Sequence, residues 1–380
     1  MRDWIIKVLG DLVSRNSVNP ASGGPGESEK ADYLQELLEN MGLKVIRYET
    51  IDNHGINRPS IITEIGSGNT LWIIAHIDTV APDKGWASDP FKLKVEDDKV
   101  IGLGVNDNGV GIMSALLVLK EITEKNIEIK YKLKVGFIAD EEAGSTYGLK
   151  YLIKQGVFKE GDRALVPDAG NKEGTMLEIA EKGILWLKFT TKGKGIHASK
   201  PHKGDNAHLK AMRFAIKLYE VLHAKFNEKD ELFDPPISTF EPTKKEKNID
   251  SINKIPGEDV HYWDCRILPQ YSIDEIISTI TDVANKFNVS VDVVMREDSS
   301  KVDPNDWIVR KTVNAVKEEL GIEPKLMGIG GGTFAGILRK IGVPSVVWHI
   351  GSETEHQANE WELIDNYIKN ARVFLNILTH

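Results

Sequence analysis

The stretch LWIIAHIDTVAP, residues 71–82, predicts a buried β-strand that ends in polar side chains. Its apolar run is rich in isoleucine, and Pro82 bounds it at the far end. His76 and Asp78 stand two positions apart, so on an extended chain they point to the same face. They form either a hydrogen-bonded core pair or a metal-binding imidazole with a carboxylate that orients it.

Runs typical of strands and helices alternate on both sides of this stretch. In the first part of the chain we predict strands at 44–50, 60–66, 71–77 and 131–140 and helices at 27–42 and 109–125. The alternation resumes after about residue 300, with a helix at 305–321, a strand at 344–351 and a last helix from about Glu360. This pattern predicts an α/β fold, a central mixed sheet flanked by helices.

The middle of the chain predicts a separate α+β unit that is inserted into this fold. Its expected elements are strands at 184–193, 259–269 and 289–297 and helices at 206–226 and 272–287, with an irregular excursion at 233–259. We therefore expect one domain made of residues 1–182 and 298–380. Residues 183–297 are expected to form the inserted domain, a ferredoxin-like βαββαβ unit.

Composition excludes several classes of protein. The formal net charge is −9 and no basic stripe is interleaved with aromatic residues, which argues against nucleic acid as a partner. Cys265 is the only cysteine, so a disulfide framework and a cysteine-rich metal site are excluded. No apolar run approaches the length of a membrane span, and residues 1–18 have the spacing of an amphipathic helix. We expect a cytoplasmic protein without a membrane partner.

Acidic residues recur where predicted strands end or a helix begins. Asp107 lies in the turn GLGVNDNGVG before an apolar helix; it could be an ordinary helix cap, but Asn108 beside it could cap equally well. The carboxylates of residues 140–142 follow an apolar strand, so they need either full solvation or a compensating cation. Asp168 and His356 follow further predicted strands.

These side chains together point to a metal centre. Histidines and carboxylates without thiolates suit zinc, cobalt or manganese. Two imidazoles with at least three carboxylates are more ligands than one tetrahedral ion needs. A pair of ions that shares one carboxylate explains the surplus.

The motifs HIDT (76–79), NDNG (106–109), DEEAGS (140–145), PD (167–168) and EHQANE (355–360) carry a resemblance over essentially the whole chain. Their order resembles the co-catalytic zinc metallopeptidase and amidohydrolase family of succinyl-diaminopimelate desuccinylase, acetylornithine deacetylase, aminoacylase and related di- and carboxypeptidases. The resemblance implies that the inserted domain is a lid and that the protein is a homodimer formed through it.

The resemblance also assigns roles to individual residues. It implies two divalent ions, zinc first and cobalt or manganese as alternatives, held by His76, Asp107, Glu142, Asp168 and His356. Asp107 would bridge the ions, and Asp78 would orient His76. Glu141 would be the general base that activates the attacking water.

Three further segments carry candidate substrate-binding groups. His197 matches the family's lid histidine, supplied within or across subunits, although His202 and His208 show that a surface-loop histidine is the alternative. Arg266 would bind a substrate carboxylate, or else form a structural ion pair. In MGIGGGTFAG (327–336) the resemblance implies a substrate loop at Gly331, Gly332 and Thr333, with a mere turn as the alternative.

The expected activity is hydrolysis of an amide or peptide bond in a small substrate that bears a carboxylate. Candidates are an N-acyl amino acid, such as succinyl-diaminopimelate or acetylornithine, and a dipeptide. Thr333-Phe334 stands where the desuccinylase has Ser-Asp, and Asn108 where many relatives have lysine, so the substrate cannot be inherited. Asp168 takes a position that is Glu in the family's deacylases and Asp in several of its amino- and dipeptidases, so the resemblance also implies the alternative of an aminopeptidase or dipeptidase. A catalytically inactive binding protein on the same fold is the alternative from another class.

Overall fold

The computed structural model describes all residues, 1–380. The helices are α1 (Arg2–Val13), α2 (Ser28–Asn40), α3 (Gly109–Lys125), α4 (Leu149–Lys154), α5 (Ala207–Lys225), α6 (Ile273–Phe287), α7 (Trp307–Leu320), α8 (Phe334–Lys340) and α9 (Ile364–Thr379). The strands are β1 (Val45–Tyr48), β2 (Ser60–Ile65), β3 (Thr70–His76), β4 (Lys94–Glu96), β5 (Lys99–Ile101), β6 (Lys132–Ile138), β7 (Arg163–Val166), β8 (Met176–Glu181), β9 (Gly183–Lys192), β10 (Ile196–His197), β11 (Thr239–Lys245), β12 (Lys254–Ile255), β13 (Glu258–Ile267), β14 (Val289–Glu297), β15 (Ser300–Lys301), β16 (Lys325–Ile329), β17 (Ser345–Val347) and β18 (Trp361–Leu363).

The chain forms two compact units. The first contains residues 1–179, 302–327 and 333–380, and the second contains residues 180–301 and 328–332. The glycine-rich stretch therefore belongs mainly to the second unit, although the residues on both sides of it belong to the first.

The first unit is built on a mixed sheet whose central strands are parallel. Its strands lie in the order β1-β2-β6-β3-β7-β17-β8. The strands β6, β3, β7 and β17 run parallel, whereas β1, β2 and β8 run antiparallel to their neighbours. The carboxyl ends of β6, β3 and β7 consequently reach the same edge of the sheet, which is where open α/β folds bind ligands.

Alternate residues of β3 face two different layers of helices. Ala75 faces α3 and approaches Gly111 so closely that a Cβ on that glycine would lie 2.9 Å from it. Trp72 points the other way and joins the buried core formed with α4 and α8. His76 has the same parity as Trp72, and its ring lies edge-on to Phe334 of α8 with 6.4 Å between centroids. The strand thus delivers the imidazole to the α8 side of the sheet edge.

This architecture confirms the predicted fold class. A central mixed sheet is flanked by helices, and the predicted helix at 109–125 coincides with α3. None of the helices is both long and apolar enough to cross a membrane.

The second unit is a four-stranded antiparallel sheet with two helices on one face. Its strands lie in the order β11-β13-β9-β14, and the chain order is strand, helix, strand, strand, helix, strand. Residues of β9 alternate between buried and more exposed positions. Leu187 and Phe189 pack with Phe214 of α5 and Ile276 of α6 in one apolar core.

The expectation of an irregular excursion at 233–259 is wrong. This segment contains β11, which pairs with β13, and the short strand β12. The strand β11 could not be recognised in the sequence, because Pro242 and a run of charged residues depart from the usual strand pattern. β11 is an edge strand with a register shift between Pro242 and Lys244, and edges and bulges are the places in a sheet where proline and charge are tolerated.

Two predicted boundaries near the C-terminus also need correction. The strand predicted at 344–351 ends at Val347. Beyond it Ile350 makes only an isolated bridge with Asn171, and its own backbone groups bond to the Asn370 side chain at 2.8 and 2.9 Å. The last helix begins at Ile364 and not near Glu360, since residues 361–363 form β18 and pair with β5.

The buried histidine His261 of the second unit should make that unit sensitive to acid. Burial first, and then Lys245, lowers its pKa from 6.5 to about 4, although Asp259 acts in the opposite direction. Between pH 6.5 and about pH 4 the unfolded chain therefore binds a proton that the folded unit does not. Stability is fully present above pH 6.5 and falls by on the order of 3 kcal/mol as the pH drops to 4.

We expect His261→Phe, which can still stack on Phe189, to flatten this pH dependence. Amide exchange of β9 and β13, compared between variant and wild type at pH 7 and pH 5, measures the difference. The same change at the exposed His202 should leave the wild-type slope intact. An equally steep slope in His261→Phe would contradict the assignment.

Candidate metal centre

The strand ends place imidazole and carboxylate groups at one edge of the first unit's sheet. His76 is the last residue of β3, the segment 140–142 begins two residues after β6, and Asp168 lies two residues after β7. Asp107 comes to the same edge from the turn before α3. His356 comes from the loop between β17 and β18 and has a left-handed backbone with φ of 57°. We call His76, Asp107, Glu142, Asp168 and His356 the metal-site cluster.

Asp107 is at the centre of this cluster. Its Oδ1 lies 2.8 Å from Nε2 of His76, and its Oδ2 lies 3.1 Å from Nε2 of His356. Asp168 Oδ1 is 3.3 Å from the same His76 nitrogen, and Glu142 Oε2 is 3.3 Å from the His356 nitrogen. One carboxylate thus offers an oxygen to each of two imidazoles, and each imidazole has a further carboxylate of its own.

Asn108 leaves Asp107 available for this position. Its Oδ1 accepts a hydrogen bond from the amide of Gly111 at 2.9 Å and so caps α3. Its Nδ2 donates to Asp168. The neighbour therefore performs the capping role that the sequence left open for Asp107.

The carboxylates of the metal-site cluster favour positive charge on the groups beside them. Burial opposes protonation of His76, but Asp168 and Asp107 outweigh burial and raise the pKa of His76 well above its ordinary value. Hydrogen bonds to Asp107 and Glu142 raise the pKa of His356 to about 11. Burial raises the pKa of Glu142, because a buried carboxylate loses the hydration that stabilises its charge.

A divalent ion would supply this positive charge, and the donor set fits one. Two groups of three side chains have ligand atoms that lie within 4.8 Å of one another: His76, Asp107 and Glu142, and His76, Glu141 and Asp168. Neutral imidazole and carboxylate oxygen are ligands for zinc, cobalt and manganese. Because Glu141 is in one of these groups, proximity alone does not separate the predicted base from the predicted ligands.

Asp78 lies behind the cluster and contacts more than His76. The nearest acceptor for Nδ1 of His76 is the main-chain oxygen of Asp78 at 3.0 Å, and the Asp78 carboxylate is 3.5 Å away. The carboxylate accepts hydrogen bonds from the amides of Glu141, at 3.0 Å, and Glu142, at 3.1 Å. Asp78 therefore holds the backbone that carries the predicted base and one predicted ligand.

Asp140 has a protein cation as its partner. Nη2 of the buried Arg58 lies 3.1 Å from its carboxylate and 2.6 Å from Glu27. For the carboxylates at 140–142 the sequence left full solvation or a compensating cation open, and it did not indicate that one of them pairs with arginine. No local pattern could show this, because Arg58 lies in the chain 82 residues before its partner.

Glu360 is a second residue that the sequence analysis did not use, although it ends the quoted motif EHQANE. Its carboxylate accepts hydrogen bonds from the amides of Gly104, Asn106 and Asp107 at 2.7–2.9 Å. Burial outweighs these bonds and raises the pKa of Glu360 to about 8. Glu360 fixes the turn from which Asp107 reaches the two histidines.

The remaining candidates have contacts of their own in the second unit. The exposed His197 bonds through Nδ1 to the Ser199 hydroxyl at 2.8 Å. Arg266 makes a two-point contact with Asp264, at 2.7 and 3.0 Å, and donates to the carbonyl of Gly330 at 2.8 Å. The ion pair named as the alternative role of Arg266 is therefore present, and its role as a carboxylate clamp stays a prediction.

Packing explains Gly328 of the glycine-rich stretch, where a Cβ would lie 2.3 Å from the Phe233 ring, but not the three consecutive glycines at 330–332. A Cβ at Gly330 or Gly331 would meet no atom within 4 Å, and at Gly332 only a Glu181 oxygen at 4.0 Å. Thr333, in the first unit, caps α8 by accepting a hydrogen bond from the amide of Ala335 at 3.0 Å.

The α/β fold and the metal-site cluster together are those expected of a metal-dependent hydrolase. The family profile described as peptidase family M20/M25/M40 matches residues 72–380, and the chain belongs to this family. Membership confirms the resemblance seen in the motifs. It also establishes an enzyme that uses divalent metal to act on amide or peptide bonds of small molecules.

Individual relatives match over nearly the whole chain. An uncharacterized metallohydrolase of Methanococcus maripaludis is 42% identical over 409 aligned positions, which cover 99% of each chain. A succinyl-diaminopimelate desuccinylase of Nautilia profundicola is 25% identical, covering 98% of each. The crystal structure of a tripeptidase from Staphylococcus aureus has a TM-score of 0.81 at 22% identity, covering 100% of this chain and 98% of that one.

Proposed function

We propose that the protein is a two-metal amidohydrolase that cleaves small substrates bearing a free carboxylate, either N-acyl amino acids or dipeptides. The observation that carries the proposal is the position of Asp107, with one oxygen 2.8 Å from the His76 imidazole and the other 3.1 Å from the His356 imidazole. A carboxylate in this position could be shared by two neighbouring ions, each with one imidazole as a further ligand.

In this proposal the metal-site cluster holds both ions. His76 and Asp168 would bind one ion, Glu142 and His356 the other, and Asp107 both. When bound, the ions supply Lewis-acid chemistry, since they make water more acidic and polarise a carbonyl group.

Glu141 is proposed to move the proton. Burial first, and then the nearby Asp168, raises the pKa of Glu141 well above its ordinary value, which makes its carboxylate a stronger base. Its carboxylate would accept a proton from water and donate it to the leaving nitrogen. The bond from the Glu141 amide to Asp78 keeps this residue in place during both transfers.

His197, Arg266 and the glycines at 331 and 332 are proposed to bind substrate. Arg266 would recognise the carboxylate, with Asp264 as its competitor for the guanidinium group. Glycines that no packing requires are consistent with a backbone that a ligand approaches closely. Names of relatives, a desuccinylase and a tripeptidase, support both acylated amino acids and peptides as the substrate class. An aminopeptidase or dipeptidase is the second candidate, because Asp168 takes a position that is Asp in several peptidases of the family and Glu in its deacylases.

Metal removal tests the proposal. We expect the protein to hydrolyse some members of a panel of N-succinyl and N-acetyl amino acids and dipeptides, to lose this activity with a chelator, and to regain it with zinc, cobalt or manganese. Each substrate is paired with its C-terminal amide, which should react far more slowly if a carboxylate is recognised. Turnover that persists in protein shown by elemental analysis to be metal-free would refute the mechanism. A folded, metal-loaded protein without turnover would support the inactive binding protein.

The division between base and ligand is tested at Glu141. We expect Glu141→Gln to keep both metals and to lower kcat by about 10²–10⁴-fold, the usual contribution of general base catalysis. Metal analysis and initial rates, with the exposed Glu355→Gln as the matched control, measure both quantities. Loss of metal from Glu141→Gln would show that Glu141 is a ligand.

The homodimer is proposed to form through the second unit. Support comes from α5, where Leu209, Met212, Ile216 and Tyr219 are spaced three and four residues apart and are 40–64% exposed. We expect Ile216→Lys to shift sedimentation equilibrium from dimer to monomer, whereas Lys217→Glu, an exposed position about 100° further around the same helix, should not. A wild-type protein that is monomeric at micromolar concentration would contradict the dimer.

A further inference from the structure

Asn19 joins two carboxylates behind the metal-site cluster. Its Nδ2 donates hydrogen bonds to Asp78 Oδ2 at 2.8 Å and to Asp140 Oδ1 at 3.3 Å. All three side chains are buried, with at most 1% of the residue exposed. The amide group is the only kind of neutral side chain that brings two donors on one nitrogen to two carboxylates.

Asn19 is itself held firmly in place. Its Oδ1 accepts from the amide of Ala21 at 2.9 Å, and its own amide donates to the carbonyl of Thr79 at 2.9 Å. The side chain can therefore act as a fixed point to which Asp78 and Asp140 are attached.

Asp78 connects Asn19 to the backbone of Glu141 and Glu142. One oxygen of Asp78 accepts from the amide of Glu141, and the oxygen bonded to Asn19 accepts from the amide of Glu142. A shift of the Asp78 carboxylate would consequently move the backbone of both residues.

Asp140 holds the same segment from its other side. Its backbone is left-handed, with φ of 66°, a conformation that a non-glycine residue keeps only when its surroundings enforce it. Its carboxylate is held by Arg58, by the amide of Tyr147 at 2.9 Å, and by Asn19. Asn19 thus contacts both of the side chains that fix residues 140–142.

The charges explain why a neutral donor is needed here. Arg58 lies among Glu27, Asp52 and Asp140, while the buried Lys30 interacts electrostatically with Asp78. Asp78 and Asp140 nevertheless both approach Nδ2 of Asn19, and their like charges repel there. An amide between them bonds to both without adding a proton that could be lost.

We propose that Asn19 is a positioning residue for Glu141, acting through Asp78 and Asp140. This inference rests on the proposed function, because it takes Glu141 as the general base. Misplacing a catalytic group by about 1 Å can cost about 10²-fold in rate, so the effect belongs in kcat and not in KM. Because Asp78 also holds the amide of Glu142, a proposed ligand, kcat is compared with metal at a saturating concentration.

The test separates the capping role of Asn19 from its donor role. Asn19→Asp keeps an oxygen to cap the Ala21 amide but replaces the donor by an acceptor. We expect kcat to fall 10- to 100-fold, with KM and the number of bound metals unchanged. Asn370→Asp is the matched control, since Asn370 is also fully buried in the first unit and donates to Ile350. It should alter stability but keep kcat within twofold.

A double mutant supplies a readout that a structural role would not give. If Asn19 acts through Glu141, then Asn19→Asp should cost nothing further in kcat once Glu141 is glutamine. Additive losses, or a kcat within twofold of wild type in Asn19→Asp, would overturn the proposal. If Asn19→Asp fails to fold, Asn19→Ser keeps a capping oxygen without adding charge and should show the same loss in kcat. Wild-type turnover and the Glu141→Gln result decide the proposed function separately.

Discussion

Carboxylates that leave water must be neutralised, and this constraint organises the first unit. At the sheet edge the same requirement is met in three ways: by imidazole in the metal-site cluster, which is proposed to bind divalent metal, by the arginine beside Asp140, and by backbone amides around Asp78 and Glu360. An unpaired buried carboxylate would be strongly destabilising. The acidic side chains are therefore arranged as a set, in which each partner depends on the position of the others.

Much of the central sheet and of the metal-site cluster could be predicted from the sequence, because imidazole and carboxylate groups stand where the predicted strands end. The apolar run before His76 and the one before residues 140–142 indicate parallel strands, and parallel strands bring distant residues to one edge. The strand β11 could not be predicted, since Pro242 and its charged neighbours are tolerated only because the strand lies at an edge. The local sequence does not show which strand will lie at the edge of the sheet.

The supporting residues were missed for a different reason. The arginine that neutralises Asp140 has an ordinary local sequence, and the motif that contains Glu360 does not show which turn this glutamate holds. Their partners lie 82 and 253 residues away in the chain. Metal-ligand types are recognisable because few side chains perform that chemistry. Hydrogen-bonding partners are not, because almost any polar residue could serve, and only the fold selects which one does.

The order of strands has a consequence for synthesis on the ribosome. β17 is hydrogen-bonded between β7 and β8, although it follows them by well over a hundred residues. The central sheet of a nascent chain must therefore keep an open gap until Val347 has been translated, and His356 emerges later still. The contiguous stretch 180–301 contains all four strands and both helices of the second unit's sheet, and all of it is translated before Val347 and His356. The growing chain therefore contains these elements before it contains all the residues of the metal-site cluster.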